Sequence, residues 1–153
     1  MINRVILQGF VVDEPYIHVS ADNKMARVRM ATTEQVTLKD GTTKHITEWH
    51  TVVFWGEMAN TIDAKATSGT PIYMEGALRH STYKDKQGVE RKSVDIAARK
   101  LRIMELSEVE GAVLPKVIAE QIAMRERLSN TRKQQPKKID IAIPAEDPDN
   151  LPF

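Results

Sequence analysis

Up to about residue 105 the apolar residues recur at every second position, in short runs separated by turn residues, which is the period of a β-strand. Val5-Ile6-Leu7 opens the first run, and Gly9 and Pro15 bound the turn region expected after it. Ala26-Arg27-Val28-Arg29-Met30-Ala31-Thr32-Thr33 alternates cleanly, so Val28 and Met30 share one face while Arg27 and Arg29 share the other. Lys39-Asp40-Gly41-Thr42 is a hairpin turn signal of the Asp-Gly kind. Glu48 to Trp55 is the next strand. Glu57 to Thr67 changes period, with Met58, Ile62 and Ala66 four residues apart, and predicts a short helix that Gly69 ends. Ile72 to His80 and Ser93 to Met104 return to strand character and meet through a polar tip at Lys86-Gln87-Gly88.

Three strands, one helix and two strands within about 105 residues predict an all-β domain. The order is that of a five-stranded Greek-key barrel of the oligonucleotide-binding kind (OB-fold). A parallel α/β fold would need more helices. Beyond this domain (1–105) the pattern predicts a linker (106–145) and an acidic tail (146–153). In the linker, Val117, Ile118, Ile122 and Leu128 fall near helical spacing, with Glu120, Arg125, Glu126 and Arg127 off that face. That suits a short amphipathic helix from Leu114 to Leu128, or a partly ordered linker. Ile139 to Ile143 alternates like a stray strand.

Charge changes the picture at the end of the chain. The 153 residues carry a net charge of +1, but from Asp140 onward there are four acidic residues and no basic one. The rest of the chain therefore has a net charge of +5, from 22 basic against 17 acidic residues. In the tail, Asp147 and Asp149 precede Leu151-Pro152-Phe153. Prolines and repelling carboxylates keep such a segment extended, and its aromatic tip suits a basic, apolar pocket on another protein. A frayed terminus has the same composition, and the tail alone does not choose between the two. The chain has no cysteine, so disulfides and cysteine–metal sites are excluded and a reducing cytoplasm fits. There is no apolar run long enough to cross a membrane and no signal segment at the start, so no membrane role is expected.

The strand around Glu48-Trp49-His50-Thr51-Val52-Val53-Phe54-Trp55-Gly56 carries the candidate chemistry. Trp49, Thr51, Val53 and Trp55 share one face, and His50, Val52 and Phe54 the other. If Val52 and Phe54 fill the barrel, both tryptophans point outward beside Arg27 and Arg29. The opposite reading, tryptophans in the core, would expose Val52 and Phe54. Outward indoles among guanidinium groups suit single-stranded nucleic acid, since bases stack on rings and cations neutralise phosphates. Stacking ignores base identity, so little sequence preference is expected. The segment Arg79-His80-Ser81-Thr82-Tyr83-Lys84-Asp85-Lys86 adds a third ring, Tyr83, among cations.

Four stretches, Asn3-Arg4-Val5-Ile6-Leu7, Thr47-Glu48-Trp49-His50, Phe54-Trp55-Gly56 and Tyr73-Met74-Glu75-Gly76-Ala77-Leu78-Arg79, together with the Pro152-Phe153 ending, resemble the bacterial single-stranded DNA-binding proteins. The resemblance implies a cytoplasmic homotetramer of OB-folds, working at the bacterial nucleoid, that coats single-stranded DNA without catalysis. It also implies a tail that recruits replication, recombination and repair proteins. It maps stacking positions onto Trp49, Trp55 and Tyr83; the basic contacts expected with them are Arg4, Arg27, Arg29, Arg79, Lys84 and Lys86. A further position that is usually aromatic maps to Val36, which cannot stack. Thr51 and Glu57 stand where relatives often carry a basic residue. These departures imply weaker binding or a smaller site, partly offset by Arg27 and Arg29. The resemblance places His50 at a protomer interface.

An enzyme is not expected. His18, His45, His50 and His80 are scattered without metal spacing, and the glycines at 41, 56, 69, 76 and 88 stand alone rather than forming a phosphate loop. No nucleophile elbow surrounds any serine. Neither a metal nor a cofactor is therefore expected. An interaction adaptor of replication restart on the same fold, or a single-stranded RNA binder, are the other readings the pattern admits.

Overall fold

The computed structural model describes residues 1–109, 118–120, 123, 124 and 127. Six strands and one helix make up the domain: β1 (Val5–Val11), β2 (Tyr16–Ser20), β3 (Asn23–Thr37), β4 (Thr43–Trp55), α1 (Glu57–Lys65), β5 (Pro71–Lys84) and β6 (Glu90–Ile103). A 3-10 turn follows at Leu106–Val109.

Five of the strands close on themselves. Neighbours run β1-β5-β6-β4-β3, and β1 returns to β3 through Phe10 opposite Ala31 and Val11 opposite Met30. All pairings are antiparallel except β4 with β6, where Val52 meets Ile96 and Val53 meets Ala97 in parallel. This is the OB-fold expected from the strand order. The side chains of Val28, Met30, Val52, Phe54, Ile72 and Met74 are fully buried inside the barrel. Each such residue contributes roughly 1.5–3 kcal/mol by leaving water. Helix α1 packs against β3, β4 and β6 and buries Ala59 and Ile62. Gly56, at φ 58°, makes the sharp exit from β4, a conformation that glycine adopts without steric cost.

One expectation needs correction, and one strand was not expected. Gly9 does not end β1 but lies inside it, opposite Ile72 of β5. A Cβ on Gly9 would sit 2.1 Å from the Ala31 carbonyl oxygen, so glycine is required where β1 crosses β3 to close the barrel. After Pro15, where the pattern assigned no element, Tyr16–Ser20 forms a strand hydrogen-bonded to the start of β3. The hairpin turns at Gly41 and Gly88 stand where expected, and the strands flanking them run longer than the pattern indicated.

A second apolar cluster lies outside the barrel. Phe10, Val12 and Ala31 pack there against Ile118, with Val109 beside them. Residues 118–120, 123, 124 and 127 are helical, with Ile118 buried and the others exposed. The remainder of Leu114–Leu128, the strand-like Ile139–Ile143 and the acidic tail, including Asp147, Asp149, Leu151, Pro152 and Phe153, lie outside the described residues.

Candidate nucleic-acid interface

Alternation along β4 settles which face the tryptophans take. Val52 and Phe54 are fully buried, while Trp49 and Trp55 are 43% and 49% exposed. They stand six residues apart on one strand, about 20 Å at ~3.3 Å per residue. Across the β3–β4 ladder, Met25 is opposite Trp55, Arg27 opposite Val53, Arg29 opposite Thr51 and Ala31 opposite Trp49. Partners directly opposite in a ladder share a face, so two arginines lie between the two indoles.

The face continues across the parallel junction. Val53 is level with Ala97, Ala97 pairs with Ala77, and the outward positions then step along the β5–β6 hairpin as Asp95 with Arg79, Ser93 with Ser81 and Arg91 with Tyr83. Tyr83 is 55% exposed and belongs to the same surface as Trp49 and Trp55. Of the remaining expected contacts, Lys84 follows Tyr83 in the strand and points to the other side, and Lys86 sits in the hairpin turn. Arg4 precedes β1, and its Nη2 lies 2.8 Å from Glu75 Oε2. The Tyr73 hydroxyl donates to Glu75 Oε1 at 3.0 Å, and that bond, supported by Arg4, holds the Glu75 carboxyl below the usual range. Val36 is half-buried near the far end of β3, opposite Lys44.

The cations of this face are not bare. Arg27 Nη2 reaches over β4 to Asp95 Oδ2 at 3.4 Å. Arg29 Nη1 lies 2.8 Å from Asp13 Oδ2, and its guanidinium carbon stands 5.7 Å from the Trp49 ring centroid. Exposed pairs of this kind are weak, about 0–1 kcal/mol, so an incoming phosphate can exchange with the carboxylates. Neither acid stood out in the sequence, because both are distant from their arginines along the chain.

His50 points to the opposite side of β4 from the tryptophans. Its Nε2 is 2.9 Å from Thr32 Oγ1, and burial lowers its pKa against the opposing pull of Glu48. Among the described residues no group of three or more His, Asp or Glu side chains could hold a metal ion, and no helix is long and apolar enough to cross a membrane.

Comparison with known proteins gives this arrangement its context. The model of the single-strand binding protein family matches residues 2–104. A single-stranded DNA-binding protein of Xanthomonas axonopodis pv. citri is 36% identical over 104 residues, covering 67% of this chain and 58% of the relative. The single-stranded DNA-binding protein 1 of Xylella fastidiosa is 34% identical over 105 residues, covering 67% of this chain and 77% of its own length. The chain thus spans about 58% and 60% of the two Xanthomonas relatives it matches. Among solved structures, a deletion mutant of the single-stranded DNA binding protein from Thermus aquaticus superposes with a TM-score of 0.61 at 20% identity, over 68% of this chain and 51% of that one. A small single-stranded DNA-binding protein from Streptomyces coelicolor gives 0.57 at 22% identity, over 70% and 99%. At these identities the structures establish the shared fold.

Proposed function

We propose that this chain, which belongs to the single-strand binding protein family, binds single-stranded DNA with little sequence preference and so protects unwound strands. The observation that carries this reading is the co-facial set of Trp49, Arg29, Arg27 and Trp55, with the two cations between the two exposed indoles. Flat rings accept any base, worth about 1–3 kcal/mol each, and the guanidinium groups take the phosphates between them. Tyr83 and Arg79 extend the same surface onto the β5–β6 hairpin. A duplex hides its base faces and is a poor ligand for such a surface. Catalysis forms no part of the proposal, and neither does a cofactor.

The wider role follows the same reading. The protein acts as a homotetramer in the bacterial cytoplasm, at the nucleoid, and its acidic tail with Leu151, Pro152 and Phe153 serves as a handle for replication, recombination and repair proteins. The opposite charges of tail and body support this division of labour.

Titration with oligo-dT, followed by intrinsic tryptophan emission, tests the core of the proposal. Quenching that saturates with single strands, weakens as salt rises and is slight with duplex is the expected result. Unchanged emission up to micromolar single-stranded DNA would remove the stacking function. A matched RNA titration separates a DNA binder from an RNA binder.

A further inference from the structure

The strand absent from the sequence-based expectation carries an exposed ring. Tyr16, the first residue of β2, pairs with Arg27 of β3. Arg27 in turn pairs with Val53, between Trp49 and Trp55, so Tyr16 lies on the surface that carries the tryptophans. The next residue confirms the direction: Ile17 pairs with buried Ala26 and packs against the barrel core, which turns Tyr16 outward. The Tyr16 side chain is 61% exposed, and its hydroxyl makes no hydrogen bond to any described residue. An aromatic ring with an exposed body and an unengaged tip gains little from its own fold.

Its position is what points to a ligand. Tyr16 and Trp55 are separated by two strand spacings and two residues along the strands, about 12 Å between backbones at ~4.8 Å per strand and ~3.3 Å per residue. Arg27 of β3 stands between the two strands in the ladder, and its guanidinium extends over half-buried Val53 of β4 to Asp95. Two exposed rings on the strands either side of β3, with the Arg27 cation beside them on the same face, offer stacking sites for two bases and a partner for a phosphate between them. The β2–β3 turn is tied by Ser20 Oγ donating to the Asn23 carbonyl at 3.1 Å, so the ring stands on a short, held hairpin.

We infer that Tyr16 is a further base-stacking platform, and that bound single-stranded DNA passes from Trp55 across Arg27 onto Tyr16. This rests on the proposed function and extends the binding path over β2. A strand that follows it leaves β4 sideways at Arg27 rather than running only along the Trp49–Trp55 line.

The test uses the full-length protein and oligo-dT, with tryptophan emission read in every titration. Tyr16→Ala and Tyr16→Leu are expected to weaken binding roughly fivefold or more, and Tyr16→Phe to bind like the parent, because the face of the ring and not its hydroxyl does the work. All three variants are expected to keep the parent's melting temperature, since the side chain is outside the core. Irradiation of a complex with 5-iododeoxyuridine-substituted oligonucleotide should give an adduct on the peptide containing Tyr16. Parent-like affinity in Tyr16→Ala, with no adduct on that peptide, overturns the inference while saturable quenching leaves the single-strand reading intact. Absence of quenching in the parent removes both.

Discussion

The guanidinium of Arg29 is shared between an indole and a carboxylate: its carbon lies 5.7 Å from the Trp49 ring centroid and its Nη1 2.8 Å from Asp13 Oδ2. Arg27 is held in a similar way by Asp95 of β6. The free protein thus supplies its own counter-charges on the surface that phosphates would occupy. Neutralising them should tighten binding. Asp13→Asn and Asp95→Asn are each expected to raise affinity for oligo-dT by up to about fivefold at low salt, the equivalent of an exposed ion pair of ~1 kcal/mol or less. A fluorescence titration of each variant against the parent measures this, and weaker binding in both would mean that the acids position the arginines rather than compete for them.

Rings and cations should separate in their salt response. Arg27→Gln and Arg29→Gln are each expected to lower the slope of log affinity against log salt by about 0.7, since each removes one phosphate contact to a single strand. Trp49→Ala and Trp55→Ala should leave the slope alone and cost about 1–3 kcal/mol of binding. Titrations at four or five salt concentrations distinguish the two classes, and a reduced slope in the tryptophan variants would contradict the division.

Gly9 sits where β1 meets β3, and an added methyl would land 2.1 Å from the Ala31 carbonyl oxygen. Backbone atoms cannot turn aside as a side chain can. Gly9→Ala should destabilise the domain by at least the ~1–3 kcal/mol typical of overpacking, read as a lower urea midpoint. An unchanged midpoint would show that the barrel closes without that close approach.

His50 makes stability depend on pH in a definite direction. Burial, the leading cause, lowers its folded-state pKa below the ordinary value of 6.5, with Glu48 pulling the other way. The unfolded chain therefore binds the proton more readily than the folded one. The contribution of neutral His50 is fully present above pH 6.5 and is lost as pH falls through its lowered folded pKa. Urea unfolding between pH 7.5 and 5 should show this decline, and His50→Gln should flatten it. A variant that keeps the parent's full decline would assign the effect to other groups.

Deleting Leu151-Pro152-Phe153 should leave affinity for oligo-dT nearly intact and abolish capture of purified replication and repair proteins. Retained capture would retire the tail as a docking handle. If removal of residues 146–153 instead strengthens DNA binding and alters its salt dependence, the acidic tail also visits the basic face when no strand occupies it.

Much of the site was legible because side-chain direction in a strand is a local property. The period of two placed Trp49 and Trp55 opposite Val52 and Phe54, and Arg27 and Arg29 opposite Val28 and Met30, before any fold was known. Tyr16-Ile17-His18-Val19 alternates in the same way, but Pro15 and the polar residues after it masked a short edge strand. Gly9 was misread because glycine marks either a turn or a close backbone approach, and only the neighbour tells which.

The alternation of apolar and polar residues by itself determined which face the five barrel strands present, where the Gly41 and Gly88 hairpins turn and that the domain is a barrel of the OB kind. Its charge distribution determined that a basic body carries an acidic end. Tertiary structure alone decided what meets across strands. The β1–β3 closure requires Gly9, the parallel β4–β6 junction brings Asp95 to Arg27 and Tyr83 to the tryptophan face, and the β2 hairpin brings Tyr16 there as well. The physical reason is range. The direction of a side chain is set by its own backbone, whereas its partners are set by register between segments tens of residues apart, which chain closure and core packing choose together.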